Sequence, residues 1–316
     1  MIHVEGSAYR KEGTMMFFAE NGEETGLLSG GCVEQDILAR IEANHITACH
    51  LVYDLRSEDD FSWGQGVGCD GSVQIIVENI STSIKNDYTK LKALLDKKIS
   101  VNHIKILDAD FQMTASFFIS ETGEKFGTNI NESINFSLYD NHKMVHNKQL
   151  NRYIYKQEFK APPHLIIYGA GPDAKSLTMY AKEAGFSITL ADWRPGLNNV
   201  KQFPYVNHIM IGNPIEAMKQ IQPTDEDYVL IMTHNFIKDK ELLHYLLPKK
   251  LRFLGLLGSK KRASRILGGY PIPEWLHFPV GLPIEAEGPN EIAISIVAQL
   301  IQEKNKERYS KQVGSI

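Results

Sequence analysis

The chain has little cysteine: three residues, Cys32, Cys49 and Cys69, among 316. So sparse and odd a set makes no disulfide framework. It points to a reducing cytoplasm, where thiols stay free to act as nucleophiles or ligands. No apolar run approaches the ~20 residues of a membrane span. The opening "MIHVEGSAYRKEG" has no apolar signal-peptide core. There is no basic excess either: 34 Lys and Arg stand against 38 Asp and Glu, a formal net charge of −4. That argues against a dedicated nucleic-acid binder, which normally shows a basic stripe or domain. No C-x-x-C pair occurs, so a structural zinc site is not expected. Repeats and low-complexity tracts are missing as well.

What is present is an ordinary globular composition, 43% hydrophobic and 23% charged. The length suggests two domains, and the texture changes at "KAPPH", Lys160 to His164. We expect a β-rich α+β domain over residues 1–160 and a Rossmann-like parallel α/β domain over 161–316.

In the first half, two apolar runs flank Asn21-Gly22, a hairpin signal. Val33, Ile37, Leu38 and Ile41 are spaced to form one face of a helix. "DYTKLKALLDKK" predicts a second, with Tyr88, Leu91, Leu94 and Leu95 inward. Strands are expected at "IHVEG", "ITACHLVYDL", "SVQIIVEN", "VNHIKILDA", "TASFFIS", "INFSLYD" and "RYIYKQEF". In the second half, "HLIIYGAGPDAKSLTMYAKEAGFSITLAD" reads as strand, glycine turn, helix and strand, and the alternation continues to a final helix with a charged tail.

Gly169-Ala170-Gly171-Pro172-Asp173-Ala174 fits G-x-G-x-x-A in the context that motif needs. Gly169 and Gly171 permit a tight turn and close approach of a phosphate to a helix N-terminus. Pro172, expected at the first helical position, removes one N–H donor. Asp192, ending the second strand, is placed to accept from a ribose or other polyol hydroxyl. Ligands of such sheets sit at the carboxyl ends of strands. His234 in "MTHN", with Thr233 and Asp239, falls there. So do Gly258, Ser259, Lys260, Lys261 and Arg262 in "LGLLGSKKR", and Gly281 and Glu285 before the last helix. Together they predict an anionic ligand.

Cys32 follows Gly30-Gly31 and opens a helix, a position that favours thiolate, although Glu34 and Asp36 oppose it. Cys69 lies among Gly64, Gly66, Gly68 and Gly71, a density that admits a bulky ligand. Cys49 alternates within a strand and is expected in the core. Thiolates suit a soft metal or a sulfur-bearing group. Arg10, in a loop beside glycines, is a candidate anion contact.

"EGSAYRKEG", "GLLSGGCVEQDI", "GVGCDG", "LIIYGAGPDA", "ADWRP", "MTHN", "LGLLGSKKR" and "GLPIEAEGPNEIAISI" run in one order along nearly the whole chain. In these segments the sequence resembles the xanthine dehydrogenase accessory factors, the XdhC/CoxI family. The resemblance implies a cytoplasmic, dimeric chaperone that binds molybdenum cofactor (molybdopterin) and supports its sulfuration with a cysteine desulfurase. It passes the cofactor to xanthine dehydrogenase or a related molybdenum hydroxylase. By motif match Cys32 handles the molybdenum end, with Cys69 second. Gly169, Gly171 and Asp192, helped by Ser259 and Lys260, hold the phosphate end, and a cleft between domains is the expected place. Two departures stand out: Pro172 replaces a histidine common after the second glycine, and the sequence begins at "MIHVEG" where family members usually have a helix before the first strand, so packing near Arg10 is expected to differ. Two other readings stay open. One is an NAD(P)-dependent oxidoreductase with His234 as acid and base; the other is a regulatory protein sensing redox state through Cys32 and Cys69.

Overall fold

The computed structural model describes residues 1–43, 49–56, 71–128, 134–141 and 143–313. They divide into two units, Met1–Ala161 and Pro162–Ile316.

In the first unit, β1 (His3–Gly6), the hairpin β2 (Met16–Phe18) and β3 (Glu24–Gly26), and α1 (Cys32–Glu42) lead to β4 (Cys49–Asp54) and β5 (Gly71–Val77). The hairpin turns at Gly22, whose φ of 82° suits glycine and whose N–H donates to Ala19 O at 3.0 Å. β5 pairs antiparallel with β1 and β4. α1 packs Val33 and Ile37 against Leu28, Tyr53, Val73 and Ile75. Burying each aliphatic side chain stabilises the unit by about 1.5–3 kcal/mol. Cys49, expected in the core, opens β4 only half-buried.

A second layer follows: α2 (Thr82–Asp96), β6 (Val101–Leu107), β7 (Met113–Ser120), β8 (Lys125–Thr128), β9 (Lys143–Asn147) and β10 (Arg152–Phe159). The strands form one antiparallel sheet in the order β8-β7-β6-β10-β9. α2 is capped by Ser81, whose hydroxyl accepts from Ile84 N at 3.3 Å, and it buries Leu91 and Leu94 on Phe118 and Phe126. The segment expected as strand "INFSLYD" is a 3-10 turn at Phe136–Leu138. Asn135 Oδ1 accepts from Ser137 N at 3.2 Å and Ser137 Oγ at 2.6 Å, so local bonding by short polar side chains takes the backbone out of extended form. β8 and β9 are the sheet edges and carry little apolar alternation, which hides them in the sequence.

The second unit alternates β11 (His164–Tyr168), α3 (Asp173–Glu183), β12 (Ser187–Asp192), β13 (His208–Ile211), α4 (Pro214–Ile221), β14 (Tyr228–Ile231), α5 (Phe236–Leu246), β15 (Phe253–Leu256), α6 (Lys260–Leu267), β16 (Leu276–His277) and α7 (Gly288–Val313). All its strand pairs are parallel, in the order β13-β12-β11-β14-β15-β16. This is the doubly wound Rossmann order, and its direction reverses between β11 and β14. Each face of the sheet has its own core. α3 and α7 contribute Leu177, Ala181, Ile296 and Leu300 to one; α4, α5 and α6 contribute Met218, Leu242, Leu246 and Ile266 to the other. The parallel α/β expectation and the β-rich first unit are both borne out. Among the described residues no helix is long and apolar enough to cross a membrane.

Gly169 is required by packing. Its φ is 127°, and a Cβ would lie 2.5 Å from Met232 O on the neighbouring chain segment. At Gly171 a Cβ would meet nothing within 4 Å. Gly169→Ala is therefore expected to cost about 3 kcal/mol, from backbone strain and a clash with backbone that cannot step aside. Gly171→Ala should cost about 1 kcal/mol or less. Urea unfolding of both variants checks this; equal midpoints would show that the turn relaxes freely.

Candidate functional site

In the first unit the chemistry gathers at the start of α1. Gly31, with φ 120°, stands just before the helix, and Cys32 is its first residue, with an exposed thiol. The loop ahead is fastened from below by Glu34, which is only 4% exposed. Its Oε1 accepts from Leu28 N at 2.8 Å and Ser29 N at 2.6 Å; its Oε2 accepts from Gly31 N at 3.2 Å and from the Ser29 hydroxyl. Burial pushes the Glu34 carboxyl up, but the Ser29 hydroxyl and these N–H groups outweigh it and hold it below its ordinary value. Expected as a charge opposing a thiolate, Glu34 is instead the anchor of the loop. Asp36 pairs with Arg40 at 2.7 Å and accepts from Tyr53 Oη at 2.7 Å.

A Cβ at Gly30 or Gly31 would meet nothing within 4 Å among the described residues, so neither glycine is there for want of space beside Cys32. A small, largely apolar pocket beside the thiol is walled by Tyr9, Leu28, Val33 and Leu55. Tyr9 brings the loop of Arg10 to this place, and Arg10 itself is exposed. Burial pushes the half-buried Cys49 thiol up, away from reactivity. Cys69 lies outside the described residues.

In the second unit the glycine turn sits at the crossover point of the sheet. Pro172 stands one residue before α3 rather than at its first helical position, and Ala174 N donates to Gly171 O at 3.1 Å. Asp173, the first residue of α3, holds His234 Nε2 at 2.8 Å, which brings the two motifs together across the β11–β14 crossover. His234 is 60% exposed and has a φ of 58°.

Asp192 differs from its expected role. It is fully buried, and each oxygen accepts twice: Oδ1 from Arg194 N at 2.8 Å and Nε at 2.9 Å, Oδ2 from Ala170 N at 2.7 Å and Arg194 Nη2 at 2.8 Å. Burial pushes this carboxyl up, but the Arg194 side chain and the two N–H groups hold it below its ordinary value. Asp192 thus ties the glycine turn to the end of β12, and the expected open acceptor is closed. The cations of "GSKKR" also diverge. Lys260 and Lys261 are exposed, whereas Arg262 Nη1 turns inward to Asp239 Oδ2 at 2.7 Å. Asp239, fully buried, also accepts from Thr233 N at 3.3 Å and from the Thr233 hydroxyl. Ser259 caps α6, its hydroxyl accepting from Arg262 N at 3.3 Å. Gly281, at φ 108°, lets the chain pass α7: a Cβ would lie 2.4 Å from Ser295 Oγ. Sequence reasoning missed Asp173 and Arg194 as partners. An acidic residue at the first position of a helix, and an arginine two residues beyond a strand-ending aspartate, were the signals available.

A doubly wound Rossmann unit with a glycine turn, preceded in the chain by an α+β unit that presents a cysteine on a glycine loop, defines the class of protein. Residues 1–47 match the XdhC and CoxI family, residues 82–160 the BH1974-like central domain, and residues 165–300 the XdhC Rossmann domain. The chain is 36% identical over 311 residues to a Bacillus subtilis protein named as a probable xanthine dehydrogenase subunit, covering 97% of this chain and 92% of that one. A shorter stretch, 155 residues and 45% of the chain, is 36% identical to the uncharacterized protein YqeB of Escherichia coli and spans 28% of it. The crystal structure of a xanthine dehydrogenase (BH1974) from Bacillus halodurans superposes with a TM-score of 0.84 at 40% identity, over 96% of this chain and 90% of that one. The chain belongs to the XdhC/CoxI family.

Glu34 and the loop it anchors should make the first unit acid-sensitive. A carboxyl held below its ordinary value of 4.5 contributes stability above that pH and loses it as pH falls through the folded value. Glu34→Gln is expected to cost about 2 kcal/mol at neutral pH and to flatten the loss of stability below about pH 4.5. Unfolding measured from pH 7 to pH 3 checks this; parallel acid limbs for the two proteins would remove Glu34 as the anchor.

Proposed function

We propose that this chain is an accessory factor for xanthine dehydrogenase or a related molybdenum hydroxylase: it holds molybdenum cofactor, protects it, supports its sulfuration with a cysteine desulfurase and passes it on. It acts in the cytoplasm as a homodimer. Membership of the XdhC/CoxI family and the names of the two Bacillus relatives support the link to xanthine dehydrogenase. The observation that carries the cofactor reading is the exposed Cys32 thiol, first residue of a helix, behind two glycines where a Cβ would meet no other described residue within 4 Å.

The residues fit such a group in kind. A thiolate suits a soft, sulfur-ligated metal centre, and Gly30 and Gly31 leave room for it. The glycine turn leaves open space at Gly171, beside the exposed His234 and the first turn of α3, where a phosphate is favoured. When bound, the cofactor supplies the molybdenum and dithiolene chemistry that the client hydroxylase uses. The chain's own part is to hold and shield. Glu34 keeps the Cys32 loop rigid, so the thiol is presented without ordering cost. Asp192 does the same for the glycine turn, and Arg10, Ser259 and Lys260 are exposed polar groups available to an anion. The alternative of an NAD(P)-dependent oxidoreductase needs a strand-end carboxylate open to ribose, and the closed Asp192 weighs against it.

Loading the purified full chain with molybdopterin and measuring retention after gel filtration tests this reading. Cys32→Ala is expected to retain at least about tenfold less, the loss of one strong contact. Equal retention by the two proteins would take Cys32 out of the mechanism.

A further inference from the structure

We infer that Arg194 is a specificity-determining residue: its pairing with Asp192 closes the ribose-reading position of the Rossmann unit, so the unit discriminates against nucleotide-extended ligands. The inference rests on the proposed cofactor reading only for the identity of the natural ligand. It implies that the form held is the one ending in a simple phosphate, not the one extended by a nucleotide.

In dinucleotide-binding Rossmann units, the carboxylate at the end of the second strand accepts from the ribose hydroxyls, and it needs free lone pairs aimed into the crevice to do so. A carboxylate offers about four acceptor directions. At Asp192 all four are taken, three of them by Arg194 and one by the glycine turn itself. The guanidinium meets the carboxylate side-on through Nε and Nη2, the strong bidentate arrangement. It is held from the other side by Trp193, whose ring centroid lies 4.3 Å from the guanidinium carbon. Lys238 Nζ stands 4.7 Å from the same centroid and donates to Asn213 Oδ1 at 3.1 Å. Trp193 in turn stacks on the buried Tyr168, centroids 6.2 Å apart. A ribose diol would have to displace a bidentate arginine from a buried carboxylate and leave both partners short of a bond. A phosphomonoester seated at the glycine turn asks nothing of Asp192.

Two binding experiments on the full chain decide the matter. First, ADP-ribose is titrated calorimetrically into wild type, Arg194→Ala and Arg194→Lys; this needs no molybdenum cofactor. Arg194→Ala is expected to bind it about tenfold or more tighter than wild type, since the freed carboxylate gains hydrogen bonds to the ribose. Arg194→Lys, which keeps the charge but not the side-on fork, should fall between them. Second, retention of molybdopterin ending in phosphate is compared with that of its cytidine-dinucleotide form. Wild type should favour the phosphate form at least about tenfold, and Arg194→Ala should narrow that gap. Wild type binding ADP-ribose as tightly as the variants, or holding the nucleotide form as well as the phosphate form, overturns the inference. Failure to retain either pterin, with the ADP-ribose gain intact, overturns the cofactor reading and leaves Arg194 as the selector.

Discussion

Buried carboxylates that close onto the backbone of glycine loops are the constraint on which this protein depends. Glu34 gathers the N–H groups of Leu28, Ser29 and Gly31; Asp192 gathers that of Ala170. Glycine loops are costly to order, because glycine loses more backbone freedom than any other residue. A carboxylate out of water is costly as well, unless hydrogen bonds replace its hydration. Each liability offsets the other. Orphan N–H groups ahead of a helix find an acceptor, and the buried anion finds donors.

The consequence is a pair of loops that are open in space yet fixed in shape. A Cβ at Gly30, Gly31 or Gly171 would meet nothing within 4 Å among the described residues, while the anchoring happens underneath, through side chains that solvent hardly reaches. Among the exposed groups, each unit presents a chemically distinct one beside its glycine loop: a thiol at Cys32, an imidazole at His234. Family membership gives those groups a common context in xanthine dehydrogenase biology, and the proposed handling of a metal-bearing pterin uses each for what it is, a soft donor and a partner for an anion.

Much of this was legible in the chain. The G-x-G-x-x-A turn, the helix opening at Cys32 and the Asn21-Gly22 hairpin are local signals, set by residues within a few positions of one another, and all three appear as read. The edge strands β8 and β9 were not, since they are four and five residues long and too poor in apolar residues to show a period of two. Nor was the direction of Arg262. A basic run at a helix start looks like a solvated or ligand-facing face, but the buried Asp239, contributed by a different helix, draws one member inward.

By itself the sequence determined the class of fold, the family and the positions of the two glycine loops, because periodicity, glycine spacing and capping act over short distances along the chain. Only the tertiary structure decided which polar groups stay free. Asp192 reads as an open acceptor until Arg194 folds back and Ala170 is brought against it, and Glu34 reads as a charge opposing a thiolate at Cys32 until the loop of Leu28 and Ser29 closes over it. Hydrogen-bond capacity is finite, and its allocation is settled by neighbours in space.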